Sequence, residues 1–144
     1  MKIFAYSATL VILAAVIFFS WKGQTDAAEQ PARIEILYMN HGPLRPIIAD
    51  IKSLLEGYQG KIRASWYDVN QPSGKEFMKK HKLHGHIPLL IRLEGASDFT
   101  IDGREVRLQG FPSGAGPFKQ VEGNWSMDDL RILLDRQAAG QQAR

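Results

Sequence analysis

Apolar residues are spaced differently in successive parts of this chain, and each change of spacing marks an element. Positions 3–19 carry no charge and are mostly Ile, Leu, Val, Ala and Phe, with Lys2 before them and Trp21 and Lys22 after. Extended by Ser20 and Trp21, the run approaches the roughly 20 apolar residues that cross a bilayer, and it exceeds the roughly 7–15 of a secretory signal core. The expectation is a transmembrane anchor over 1–22 with the amino terminus inside, which Lys2 and the terminal amine favour and Lys22 opposes. A cleaved signal peptide is the alternative, with Ala27 and Ala28 as small residues near the processing site. Both readings put the remainder outside the cytoplasm, facing the periplasm or exterior, either tethered to the cell membrane or soluble after cleavage. Positions 23–32 (GQTDAAEQPA) are polar and contain proline, the composition of a linker.

From position 33 to 137 the spacing is that of a folded domain. Positions 33–39 (RIEILYM) form a short apolar run with β-branched and aromatic members, the signature of a strand. Asn40-His41-Gly42-Pro43 has turn chemistry. From Leu44 the apolar residues fall at 44, 47, 48, 51, 54, 55 and 58, the steps of an amphipathic helix. Pro43 and Pro46 fit only in its first turn, where a missing N–H costs nothing, and Gly57 and Gly60 end it. A second strand is predicted over 61–69, a loop over 70–74 and a short basic helix over 75–82, anchored by Phe77 and Met78. A third strand follows over 88–94. Positions 99–108 alternate on either side of Asp102-Gly103, a strong hairpin signal. Positions 110–116 (GFPSGAG) read as a loop. Ser126 and Asp129 make a capping-box pattern before a last helix with Met127, Leu130, Leu133 and Leu134 on one face. Positions 138–144 read as a disordered tail.

The order β-α-β-α-β-β-α defines the fold class. A strand–helix–strand unit needs a parallel pair and a right-handed crossover, and the later hairpin adds antiparallel strands. The prediction is an α/β domain with a mixed sheet and helices on both faces.

Composition narrows the chemistry. The 144 residues include no cysteine, so the chain has no disulfide, no thiolate ligand and no thiol nucleophile. An exported domain without disulfides must be held by its core alone, and about 105 residues suffice. Eighteen basic residues face fifteen acidic ones, a net charge of +3 spread along the chain, so no nucleic-acid footprint is present. There is no G-x-S-x-G, no H-E-x-x-H and no phosphate loop.

With these residues in order, the chain resembles the thioredoxin family. His41-Gly42-Pro43-Leu44 stands where the family carries Cys-Gly-Pro-Cys, between the first core strand and a long helix. Glu35 stands where the family often has a buried acid, although in a chain without thiols it reads as a strand-end surface or capping group. Tyr58-Gln59-Gly60-Lys61 and Tyr67-Asp68-Val69-Asn70 resemble the turn and the strand end that follow. His86-Ile87-Pro88-Leu89-Leu90 resembles the loop whose cis-proline faces the family's active site. Gly123-Asn124-Trp125 and the capped helix after it resemble the last helix and its approach. The resemblance implies a thioredoxin-like sheet and a cis bond at Ile87–Pro88. It does not carry redox activity, because thiol–disulfide exchange needs a thiolate that His41 and Leu44 cannot supply. The segment 96–119 is longer than the family's strand-to-strand turn, and its hairpin reads as an addition.

Candidate sites follow from both lines of reading. A groove inherited without its cysteines would be lined by His41, Gly42, Pro43, His86, Ile87 and Pro88, and flanked by Phe111 and Phe118. The flanking aromatics either anchor a partner or fold back to cap the sheet. His81, His84 and His86 form H-x-x-H-x-H, and imidazoles suit transition metals. His41 and His86 are the alternative metal ligands, two where zinc sites use three or four, so no metal or other cofactor is expected. Lys75, Lys79, Lys80 and Lys82 read as a solvated basic face. Trp66 and Trp125 read as core. The functional expectation is a non-enzymatic protein-binding or assembly module for an exported or membrane protein. A metal-delivery protein is the alternative.

Overall fold

The computed structural model describes residues 30–140. The apolar run at 3–19 and positions 141–144 of the tail predicted over 138–144 lie outside them, while Ala138 is the last residue of a helix. Among the described residues no helix is long and apolar enough to cross a membrane.

The first strand, β1 (Ala32–Tyr38), is the centre of a three-stranded sheet. It pairs in parallel with β2 (Ile62–Asp68) and antiparallel with β3 (Leu89–Leu93), giving the order β2-β1-β3. The alternation of β1 is two-sided. Ile34 and Ile36 point to one face and Leu37 to the other, and all three are fully buried. The first face carries the main core. It packs Ile47, Ile48 and Ile51 of α1 (Arg45–Glu56) and Leu130, Leu133 and Leu134 of α3 (Met127–Ala138), together with Trp125 and Phe111. The second face is covered by α2 (Pro72–Lys80), whose Phe77 packs with Leu37, Ile87 and Leu90. The mixed sheet with helices on both faces is therefore present.

A 3-10 turn at Gly42–Leu44 leads into α1, so Pro43 and Pro46 both lie in opening turns. Helix α2 begins at Pro72, within the stretch predicted as a loop. Pro72 sits in its first turn, where the ring's fixed φ suits a helix. Gly74 then lets the helix cross β2 closely, since a Cβ there would lie 1.9 Å from the Asp68 carbonyl oxygen. Helix α3 starts with the full capping box, Ser126 and Asp129 each bonding the other's backbone N–H.

Beyond β3 the chain forms the hairpin β4 (Asp98–Ile101) and β5 (Arg104–Arg107). Its turn residues Asp102 and Gly103 have φ of 50° and 79°, as a two-residue turn of this hand requires. Residues 108–110 then return alongside β3. Ile91 donates to the Leu108 carbonyl, Gly110 donates to the Leu89 carbonyl, and Leu90 bridges Gln109 antiparallel. This short segment occupies a fourth position, on the far side of β3 from β1. The hairpin is thus an excursion between two neighbouring positions of one sheet.

Candidate functional site

Because β1 and β3 are antiparallel, the end of one lies beside the start of the other. Tyr38 is opposite Leu89, and the Met39 N–H donates to the Pro88 carbonyl at 2.9 Å. The turn carrying His41 and the segment carrying His86 are consequently at the same end of the sheet. They open on different cavities. His86 and Pro88 line an open cleft of about 950 Å³, closed on its other sides by Asp98, Glu105 and Arg107 of the hairpin and by residues 120–124. His41 lines a smaller pocket of about 260 Å³ beside α1.

The remaining groove residues divide between surface and core. Gly42 and Pro43 are exposed in the 3-10 turn. Ile87 is buried in the second core. The Ile87–Pro88 bond is trans, which corrects the cis expectation: no peptide bond among the described residues is cis. The chain enters β3 extended, with the Pro88 carbonyl already paired and Ile87 directed inward, so the ordinary preference for trans, about 0.5–1 kcal/mol, is unopposed. Phe111 is 1% exposed and belongs to the main core, so of its two readings it takes the second, folding back to cap the sheet, and it leaves the groove's lining. It is fixed where the chain leaves residues 108–110: its N–H donates to the Val121 carbonyl, and its own carbonyl accepts from Gly123. Phe118 is 70% exposed. The two aromatics of one loop therefore have opposite roles, one capping the sheet and one facing solvent.

The loop that displays Phe118 is organised around Glu122, whose side chain is only 10% exposed. Its carboxylate accepts from Lys119 Nζ at 2.9 Å and from the backbone of Gly114 and Gly116. The Lys119 bond, then those N–H groups, hold the carboxyl below its usual range. A Cβ at Gly116 would fall 2.6 Å from the Glu122 side chain, so the residue must be small for the loop to close on the acid. At the hairpin wall, Arg107 Nε donates to Asp98 at 2.5 Å, and this bond lowers the Asp98 carboxyl. Asn124 bridges the floor. Its Nδ2 donates to the Glu105 carbonyl at 3.0 Å and its Oδ1 accepts the Arg107 N–H at 2.9 Å, in the manner of a neighbouring strand. The cleft thus presents fixed side chains of both signs, with backbone around them.

The α2 face holds a second polar cluster, among residues that spacing alone did not bring together. Arg92 Nη1 lies 3.3 Å from Glu35 Oε2, with both side chains about one-fifth exposed or less. The same nitrogen lies 2.8 Å from His81 Nδ1. His81 lies tilted against Phe77 at 4.4 Å, and Phe77 stacks at 4.3 Å on Tyr67. Burial, and then the Arg92 charge, lower the His81 pKa. His81 is thus a neutral, half-buried acceptor and not a solvated loop residue, whereas His84 and His86 are exposed. Glu35 lies within β1, paired across the sheet, and not at a strand end. Lys75, Lys79, Lys80 and Lys82 are all exposed, and Trp125 is fully buried with its Nε1 donating to the Gly110 carbonyl.

Among the described residues no group of three or more His, Asp or Glu side chains converges as a metal site. Without cysteine the cleft has no thiol for disulfide exchange with a peptide. No protein-family model matches the chain, and no curated protein matches it.

Proposed function

We propose that this chain is a thioredoxin-like protein without thiol redox activity, exported and held at the cell membrane by 1–22. Its domain binds an exported or membrane protein through the cleft beside His86 and Pro88. The observation that carries the reading is the cleft itself. It is open and about 950 Å³, and one wall is the segment resembling the family's proline loop. The order β2-β1-β3 with residues 108–110 next to β3 supports the likeness. The groove is narrower in membership than the sequence suggests. Ile87 and Phe111 support it from the core, and His41 belongs to a neighbouring pocket. Phe118 stands two residues before Gln120, which lines the cleft, and supplies an exposed aromatic of the kind that anchors partners.

Site-specific photocrosslinking tests this. A crosslinker at Gln120 should trap a discrete partner from membranes, and one at Arg63, on β2, should not. Phe118→Ala should reduce that capture about thirtyfold while leaving the melting temperature unchanged. Equal capture from both positions would reject the cleft as the docking site. Carbonate extraction of the full chain tests the anchor: recovery in the soluble fraction with a new amino terminus near Ala28 would show a cleaved signal.

A further inference from the structure

The pocket between the end of β1 and α1 has a lining of one sign. We propose that it binds an organic carboxylate with a short apolar or aromatic body. Its floor is apolar, made by Ile48, Met39 and Tyr38, and its rim carries Arg45, Lys52 and His41. No acidic residue lines it. Neither Arg45 nor Lys52 forms an ion pair among the described residues, although six such pairs are present elsewhere. Arg45 and Lys52 are two helical turns apart on α1, with Ile48 and Ala49 between them, so one helix stripe supplies both cations and part of the floor.

The site is also preorganised. Lys52 Nζ sits 5.3 Å from the Trp66 ring centroid, and Trp66 meets Tyr38 edge-to-face at 5.9 Å. The indole holds the ammonium at the rim through its ring face and leaves N–H groups free for an acceptor. Arg45 is the first residue of α1, where the helix end adds positive potential to the guanidinium. The volume of about 260 Å³ is just under the roughly 300–1,000 Å³ of pockets for drug-sized ligands, which sets the size of the guest. A bare inorganic anion would leave the apolar floor unused, and a neutral ring would leave the two cations unpaired. An amphiphilic carboxylate satisfies both. Such a group comes either from a free small acid or from an acidic side chain beside an apolar one in a peptide.

Titration of the full chain, followed by heteronuclear NMR, tests the assignment. The probes are benzoate, hexanoate, benzamide, inorganic sulfate and a blocked Phe-Glu dipeptide. Benzoate or hexanoate should give saturable shifts at Ala49 and Lys52, with benzamide and sulfate at least about tenfold weaker. Lys52→Gln and Arg45→Gln should each weaken the carboxylate about tenfold. Ala49→Leu, a helix-compatible exchange at an exposed position, should block the pocket and abolish the shifts. Tighter binding of the dipeptide than of either free acid would identify a peptide as the source, and the reverse a small acid. The proposal is overturned by benzamide binding as well as benzoate, by shifts that map elsewhere, or by variants that remain folded and bind unchanged. Because the cleft and Phe118 lie outside this pocket, loss of partner capture leaves the carboxylate result standing, and the converse also holds.

Discussion

Tyr58 joins the end of α1 to α3 through one strong contact. Its hydroxyl donates to Asp135 Oδ1 at 2.6 Å. Burial first, and that carboxylate second, push its pKa up to about 12. Folding therefore favours the protonated phenol. The contribution is complete below the unfolded value near 10 and is lost as pH rises from there through about 12. Tyrosinate absorbance should include a phase near 12 that Tyr58→Phe removes, and the variant should cost about 1 kcal/mol in urea unfolding near neutral pH. An alkaline titration that the variant leaves unchanged there would contradict this. Such a pairing is invisible in sequence, because 77 positions separate the partners and nothing in either stretch marks them. His81 is similar: short spacing grouped three histidines as imidazoles suited to a metal, and the tilted contact with Phe77 that singles out one of them depends on where α2 ends.

Elements were legible where local rules decide them. The apolar steps 47, 48 and 51 became buried positions of α1 and Leu44 a buried position of the 3-10 turn before it, the Ser126–Asp129 pattern became a formed capping box, and Asp102-Gly103 became the hairpin turn. The start of α2 was missed because it depends on contact: Gly74 is required by its approach to β2, a distance that local sequence does not encode. How the β4–β5 hairpin is held is also a matter of tertiary contact. Arg104 donates to the Asn124 carbonyl at 3.0 Å and to Asp129 Oδ1 at 2.5 Å, and the Asp129 side chain is 8% exposed. Arg104→Ala leaves that carboxylate with only its capping partners. We expect a loss of about 1–3 kcal/mol, read as a lower urea midpoint, with hydrogen exchange accelerated in β5 before β1. Asp129→Ala should cost more, because the cap of α3 goes with it. Equal exchange in both strands of the Arg104 variant would mean that the hairpin does not depend on the tether.

At the scale of the whole molecule, one loop divides its aromatics between core and solvent. Phe111→Ala removes a fully buried ring from the main core and should cost about 3–5 kcal/mol, a large part of a typical domain's 5–15 kcal/mol. Phe118→Ala should change stability by less than about 0.5 kcal/mol. Thermal unfolding of the two variants separates them, and comparable melting temperatures would refute the division. The glycine- and proline-rich loop gave no periodicity from which to assign them, since their burial follows from the pairing of Phe111 with Val121 and Gly123. The cleft was half legible. His86 and Pro88 were singled out only by the resemblance of their segment to the family's proline loop, but the cleft's other walls come from the hairpin and from residues 120–124, which no motif links to them. The carboxylate pocket was unreadable for a related reason: its helix stripe is visible in α1, but the rest of its floor comes from the end of β1 and Met39 after it, and the indole behind Lys52 from β2.

The amide of Asn124 has one further consequence, which concerns ageing. By occupying the outer Glu105 carbonyl and Arg107 N–H it closes β5 to any other strand. Hydrolysis of that amide would place a carboxylate oxygen against the Glu105 carbonyl, where a donor is required. The freed edge is then a template for intermolecular pairing. Asn124→Asp, which mimics the aged protein, should scatter more light on storage than the wild type while its freshly prepared fold is intact. Unchanged scattering would show that the edge is protected by other means. One side-chain amide thus separates a capped β5 edge from an open one.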